Sequence, residues 1–160
     1  MVSRLVALVA LLMLALACSV MGSGSPSPAS SPVMTGTPSK TPSPAGIAFK
    51  LNGVGTTAAK GTITVSAQSG SLTVELKITG LQPTSRHVSH IHIGSCAARG
   101  KILYALNPVI ADGQGDADAK TTLRATYPPA SGHWYVVVHV GPDMTTSANS
   151  TYLLCGNIFK

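Results

Sequence analysis

From residue 46 onward the chain alternates apolar and polar side chains with a period of two, in short runs separated by glycine, proline, serine and aspartate. That period belongs to half-buried strands, not helices. In residues 60–68, KGTITVSAQ, the side chains of Thr62, Thr64 and Ser66 share one face and those of Ile63, Val65 and Ala67 the other. Residues 69–71, SGS, make a tight hairpin turn, and 72–80, LTVELKITG, resumes the alternation with Leu72, Val74, Leu76 and Ile78 directed inward. The same reading gives strands at 46–52, 86–94, 117–125, 133–140 and 151–159, and a short segment at 101–106. Seven or eight antiparallel strands of this kind specify an all-β fold, a Greek-key β-sandwich or barrel spanning residues 46–160. The chain shows neither an internal repeat nor a phosphate-cradling glycine loop.

The first 45 residues do not share this pattern. A short basic start, MVSR, precedes the uncharged apolar run Leu5 to Ala17, which is too short for a stable membrane span and reads as a secretory signal over residues 1–17. The run ends in Ala15-Leu16-Ala17-Cys18, small residues before a cysteine in the manner of a bacterial lipobox. Cleavage before Cys18 would place a lipid on its sulfur; ordinary cleavage after Ala17 would leave Cys18 a free thiol. Either route puts the mature protein outside the cytoplasm, where disulfides persist. Residues 18–45 carry this cysteine and a linker. Of the 23 residues from Ser23 to Ala45, 18 are Ser, Pro, Thr or Gly and only Lys40 is charged. Such a stretch cannot bury a core. Extended at about 3.1 Å per residue, it would hold a domain several tens of Å from a membrane.

Charge narrows the partners. Residues 46–160 hold nine Lys or Arg against five acids, a surplus of four that is scattered and forms no basic run. Nucleic acid is excluded as a partner on that ground, while a mild positive field favours small anions. Nothing in the sequence assigns an oligomeric state.

With only 10% charged residues, polar groups are scarce, yet three of the five histidines fall within residues 87–96, HVSHIHIGSC. Residues two apart on a strand point the same way, with Cβ atoms about 7 Å apart, so His90 and His92 form two arms of a metal site. His87, an odd step away, faces the other side. His139, near the end of the apolar strand WYVVVHV, is the best third arm. His133 lies six residues earlier, about 20 Å along the same strand, too far to share that site.

In their order along the chain these segments resemble copper/zinc superoxide dismutase over nearly all of residues 46–160. GIAFKLNGVGTTAAKGTITVSAQ resembles that family's first hairpin, HVSHIHIGSC its metal strand, ADGQGDADAKTTL the region after its zinc loop, VVVHVGPD the strand with the remaining copper histidine, and LLCGNI its closing segment. The resemblance implies that family's β-topology, one copper ion on His90, His92 and His139, and a structural His87 tying strand to loop. It also implies a Cys96–Cys155 disulfide, which composition favours if Cys18 carries lipid. The departures are as informative. The bridging histidine shared by copper and zinc has no counterpart in KILYALNPV, and the shortened zinc loop leaves only Asp112 and Asp116 as nearby carboxylates, so zinc is not expected. Tyr152 stands where the family has its anion-guiding arginine, and no Lys or Arg lies between His139 and Cys155. Without the bridging imidazole, water or Tyr104 would have to deliver protons. A second resemblance is to chordin-repeat domains, which also carry a His-x-His strand and a later His, and which imply a similar β-fold but no assured catalysis. The expected functions are an exported copper-only dismutase acting on superoxide, a copper-sequestering lipoprotein held to the membrane by its anchor, a His₃ zinc site that activates water, or a structural β domain.

Overall fold

A computed structural model of the chain describes residues 45–159; the expected secretory segment, Cys18 and the linker up to residue 44 lie outside the described residues. Ten strands follow in order: β1 (Ile47–Gly53), β2 (Lys60–Gln68), β3 (Ser71–Thr79), β4 (Arg86–His87), β5 (Ser89–Ile93), β6 (Ile102–Ala105), β7 (Val109–Ile110), β8 (Ala117–Leu123), β9 (Trp134–His139) and β10 (Tyr152–Asn157). There is no helix among the described residues. The expected all-β fold is present as one curled eight-stranded antiparallel sheet, ordered β6-β5-β9-β10-β1-β2-β3-β8, with β4 and β7 as a separate pair. β1 joins the two halves: Ile47 to Leu51 pair with β2, while Asn52 and Gly53 pair with β10.

The alternation read from the sequence is the burial pattern. Ile63, Val65, Leu72, Val74, Leu76 and Ile78 are all at most 2% exposed and pack in one core with Leu51, Ile91, Val136, Val138 and Leu154. Ala67 departs from the expectation and is exposed, although its cross-strand partner Leu72 is buried. That hairpin is closed by Ser69 and Gly70 between the paired Gln68 and Ser71, and Gly70 sits at φ 69°, where a side chain would be strained. β9 has no alternation because both of its faces are covered: Trp134, Val136 and Val138 enter the main core, and Tyr135 and Val137 form a second cluster with Cys155.

Residues 86–94, expected as one strand, are two. At Val88 the chain leaves the β9 ladder, its carbonyl still accepting from His139 N–H and its own N–H donating to Gly141 O, and Arg86 and His87 pair with Ile110 and Val109 instead. β6 and β8, the edges of the large sheet, are linked by Asn107, whose N–H donates to Thr121 Oγ1 (2.8 Å) and whose side-chain amide donates to Lys120 O (2.7 Å).

Cys96, in the loop after β5, is bonded to Cys155 on β10 across 59 residues of sequence. It packs with Tyr135, Val137, Val54 and Tyr152, so the crosslink fixes the loop of residues 94–101 to the middle of the sheet. A loop of this length corresponds to about 4 kcal/mol of lost chain entropy in the unfolded state. Cys96→Ala/Cys155→Ala is therefore expected to lower the unfolding free energy by about that amount. Urea denaturation measures this, and an unchanged midpoint would contradict it.

Candidate metal centre

β5 and β9 run antiparallel with His90 opposite Val137 and His92 opposite Tyr135. Side chains directly opposite share a face, so His90, His92, Tyr135, Val137 and His139 all lie on the side of the sheet away from the main core. The loops that follow β5 and β9 cover that side. His92 is 4% exposed and His139 1%, while His90 is half-buried and open on one side. The ring centroids are 6.1 Å apart for His90 and His92, 5.2 Å for His90 and His139, and 5.9 Å for His92 and His139.

The orientation of each ring follows from its outer nitrogen. His92 Nδ1 donates to Gly100 O (3.0 Å), and His139 Nδ1 donates to Ser150 O (2.8 Å). A carbonyl can only accept, so each Nδ1 carries the proton and each Nε2 is a bare lone pair. Three buried nitrogens have no hydrogen-bond partner: His90 Nδ1, His92 Nε2 and His139 Nε2. Each of the three residues offers one nitrogen to a common point, the offered atoms lying within 4.8 Å of one another. An unpartnered buried polar atom costs about 1–3 kcal/mol, and three converging on one point fit a ligated cation. Burial pulls the His90 imidazole down to about 4, with His139 and His92 adding to the effect. Burial also lowers His92 and His139, against the opposing pull of their carbonyl partners. The rings are thus neutral and ready to ligate at neutral pH.

His87 does not belong to this group. Its Nδ1 donates to the carbonyls of His139 and Val140, both at 2.9 Å, and its Nε2 accepts from Ser85 Oγ (2.8 Å), so it ties β4 to the chain leaving β9. His133 lies apart, stacked on Phe159 at 4.1 Å. Asp112 spends its carboxylate closing a turn, accepting from the N–H groups of Gln114 and Asp116. The larger surface hollow, about 700 Å³ between β1, β2, β3 and the Asp112 turn, is lined by none of the histidines.

Two expectations about the surroundings are corrected. Tyr104 is opposite Ile91 and packs edge-on against Trp134 (5.6 Å), toward the main core and not toward the imidazoles. The aromatic neighbours of the site are Tyr135, 5.1 Å from His92, and Tyr152, 5.4 Å from His139 and 5.8 Å from His92. Their hydroxyls are 3.0 Å apart, and burial together with Tyr135 pushes the Tyr152 hydroxyl up to about 12. The stretch between His139 and Cys155 has no positive charge, but one from another loop lies beside it: the Arg99 guanidinium is over the Tyr152 ring at 4.3 Å. Neither ion pair among the described residues involves Arg99. The signal for it was its place three residues beyond Cys96, on the loop that the disulfide draws to β10.

The family model described as the CHRD domain matches residues 47–141. Among solved structures, a SOD-like protein from Bacillus subtilis is similar with a TM-score of 0.56 and 15% identity, covering 70% of this chain and 97% of that one. A substitution variant of the Bacillus subtilis protein gives a TM-score of 0.57 at 14% identity, covering 71% and 97% of the two chains. These likenesses show a shared SOD-like fold. No curated protein matches the chain.

The lowered imidazoles give a signed pH dependence for the metal-free protein. Below the ordinary histidine value of 6.5 the unfolded chain takes up protons that folded His90 refuses until about 4, with His92 and His139 lowered in the same direction. Stability from these groups is therefore complete above about pH 6.5 and falls as the pH drops toward 4. Urea midpoints should decline between about pH 6.5 and 5, above the range where carboxylates titrate. A flat profile there would contradict the burial of neutral rings.

Proposed function

The chain belongs to the CHRD domain family, and on that premise, with the three-imidazole site, we propose that it is an exported protein that holds one copper ion on His90, His92 and His139 and takes superoxide as substrate. The convergence of three bare, buried ring nitrogens carries this reading. Neutral imidazoles are good donors to copper, and His90 is the most exposed of the three residues. Copper, when bound, supplies the one-electron cycling that disproportionation of superoxide requires.

The protein's own residues do the rest. Gly100 O and Ser150 O hold the tautomers of His92 and His139. Arg99, one ring away from the imidazoles, sets a positive charge where an anion would approach. Proton delivery is the weak step. Tyr104 faces the core, and the Tyr152 hydroxyl at about 12 keeps its proton, so water at the His90 side is the remaining source. This favours slow turnover, and it also favours a second reading in which the site sequesters copper without turnover.

Metal analysis of the purified protein is expected to give one copper per chain, abolished in a His90→Ala/His92→Ala/His139→Ala variant and retained in His133→Ala. Equal occupancy in the wild type and the triple variant would overturn the site. Given bound copper, Arg99→Gln should slow superoxide consumption several-fold at low ionic strength and less at high salt. Copper without any superoxide consumption would select sequestration.

Export rests on the apolar run from Leu5 to Ala17, and the Cys96–Cys155 bond is consistent with it. Cys18 is proposed as the lipidated residue. Cys18→Ala is then expected to move the protein from the membrane to the soluble fraction, and continued membrane association would place the anchor elsewhere.

A further inference from the structure

Tyr135 stands opposite His92 on β9 and is fully buried beside it, the two ring centroids 5.1 Å apart. A phenylalanine would cover the imidazole equally well. A tyrosine adds a buried hydroxyl, which costs free energy unless it is hydrogen-bonded, so the reason for the phenol lies in its bonds. That hydroxyl reaches past the imidazole to the backbone that holds it. Tyr135 Oη accepts from Gly100 N–H (3.1 Å), and the carbonyl of the same glycine accepts from His92 Nδ1 (3.0 Å). Both backbone polar groups of Gly100 are thus engaged, one by β9 and the other by the histidine.

The Tyr135 proton has two acceptors in reach. Tyr152 Oη is at 3.0 Å, and Gly100 O is at 3.5 Å, beyond the range of a good O–H···O bond. The shorter contact takes the proton and leaves the Gly100 carbonyl to His92. The Tyr152 ring also carries the guanidinium of Arg99, the residue before Gly100, at 4.3 Å. The two tyrosines therefore hold residues 99 and 100 together. His139 is treated differently: its carbonyl partner, Ser150 O, sits in a loop fastened by Ser150 N–H on Thr146 O and by Asn149 on Asp143, with neither tyrosine hydroxyl involved.

We infer that Tyr135 is a positioning residue for His92, fixing the tautomer of that ring through Gly100, and that Tyr152 serves it by drawing the Tyr135 proton away from the Gly100 carbonyl. The inference deepens the reading of the three imidazoles as a metal site and rests on it. It separates the two most deeply buried ligands, His92 being governed by the tyrosine pair and His139 by the Ser150 loop.

The test begins on the metal-free full-length chain, where its first readout needs no copper. Nitrogen-15 spectra of the histidine rings at neutral pH distinguish a protonated ring nitrogen from a bare one. In the wild type, His92 and His139 are each expected in the Nδ1–H form. In Tyr135→Phe, which keeps the ring and removes only the hydroxyl, His92 is expected to average between its two neutral tautomers while His139 is unchanged. Tyr152→Phe, at a half-buried position, is expected to move His92 in the same direction by less. Copper affinity, measured by competition with a chelator, is expected to fall about 10–100-fold in Tyr135→Phe, the range for groups that orient a metal-ligating histidine. An unchanged His92 spectrum in either variant would overturn the inference. So would an equal change at His139, because the hydroxyl would then serve the fold as a whole and not one ring. A His92 response in a protein whose wild type binds no copper would support the hold on the ring and overturn the metal reading alone.

Discussion

A carbonyl oxygen accepts a hydrogen bond and never donates one, and the candidate metal centre depends on that asymmetry. Gly100 O and Ser150 O each take the Nδ1 proton of a histidine and so leave a bare Nε2 directed inward. Were either acceptor replaced by a hydroxyl, which can donate as well, the tautomer would no longer be fixed. His87 obeys the same rule one layer out, giving its proton to the carbonyls of His139 and Val140 and so fixing the backbone from which His139 projects. Both acceptors for the site lie on loops, so the loops must be rigid. The first is crosslinked through Cys96 and braced by Tyr135, whose hydroxyl accepts from Gly100 N–H (3.1 Å). Gly100 itself must lack a side chain, since a Cβ there would overlap the Ile93 carbonyl. The second is knotted around Asp143, whose carboxylate accepts from Thr145 and Asn149, with Ser150 N–H donating to Thr146 O.

Rigidity is needed because the site opposes folding. Three bare nitrogens packed together at about 1–3 kcal/mol each are a sizeable fraction of a small domain's stability. A core selected for stability alone would fill these positions with aliphatic side chains, as it does on the opposite face of β9 with Val136 and Val138. The disulfide and the two loop networks offset that cost. They hold a locally unfavourable arrangement that a bound cation would relieve, the pattern expected where function and not packing has chosen the residues.

The strands were legible because alternation is itself a statement about burial: a strand with one face on the core must read apolar-polar, and β2, β3 and β8 do. The His-x-His pair was legible for the same reason, since a period of two places both rings on one face. What the pattern could not carry was anything set by loops. The break at Val88 follows from Arg86 and His87 pairing with Ile110 and Val109, more than twenty residues away in sequence, and not from any local breaker. The closeness of Arg99 to Tyr152 was not legible because sequence neighbours are not spatial neighbours: the crosslink brings in a residue from the loop beyond β5. Tyr104 was misassigned because its orientation is set by its pairing: opposite Ile91, it shares that residue's core-facing side.

β1 shows how one irregularity serves two ends. Its last two residues pair with β10 at and beside Cys155, close to the centre of the sheet that carries the three-histidine site. Its first five residues pair with β2 on one side and have no ladder partner on the other among the described residues. Close contact with β10 persists as far as Lys50, where a Cβ at Gly156 would strike the Lys50 carbonyl. Beyond that point β1 and β10 diverge, and only side chains can fill the widening gap. Phe49 and Phe159 reach into it from its two walls, and Tyr127 donates to Ile158 O (2.6 Å) between them. The divergence that lets a single sheet curl onto its own core thus also opens an aromatic cleft. The chain enters the domain at the mouth of that cleft because β1, the strand that switches partners, is also the first.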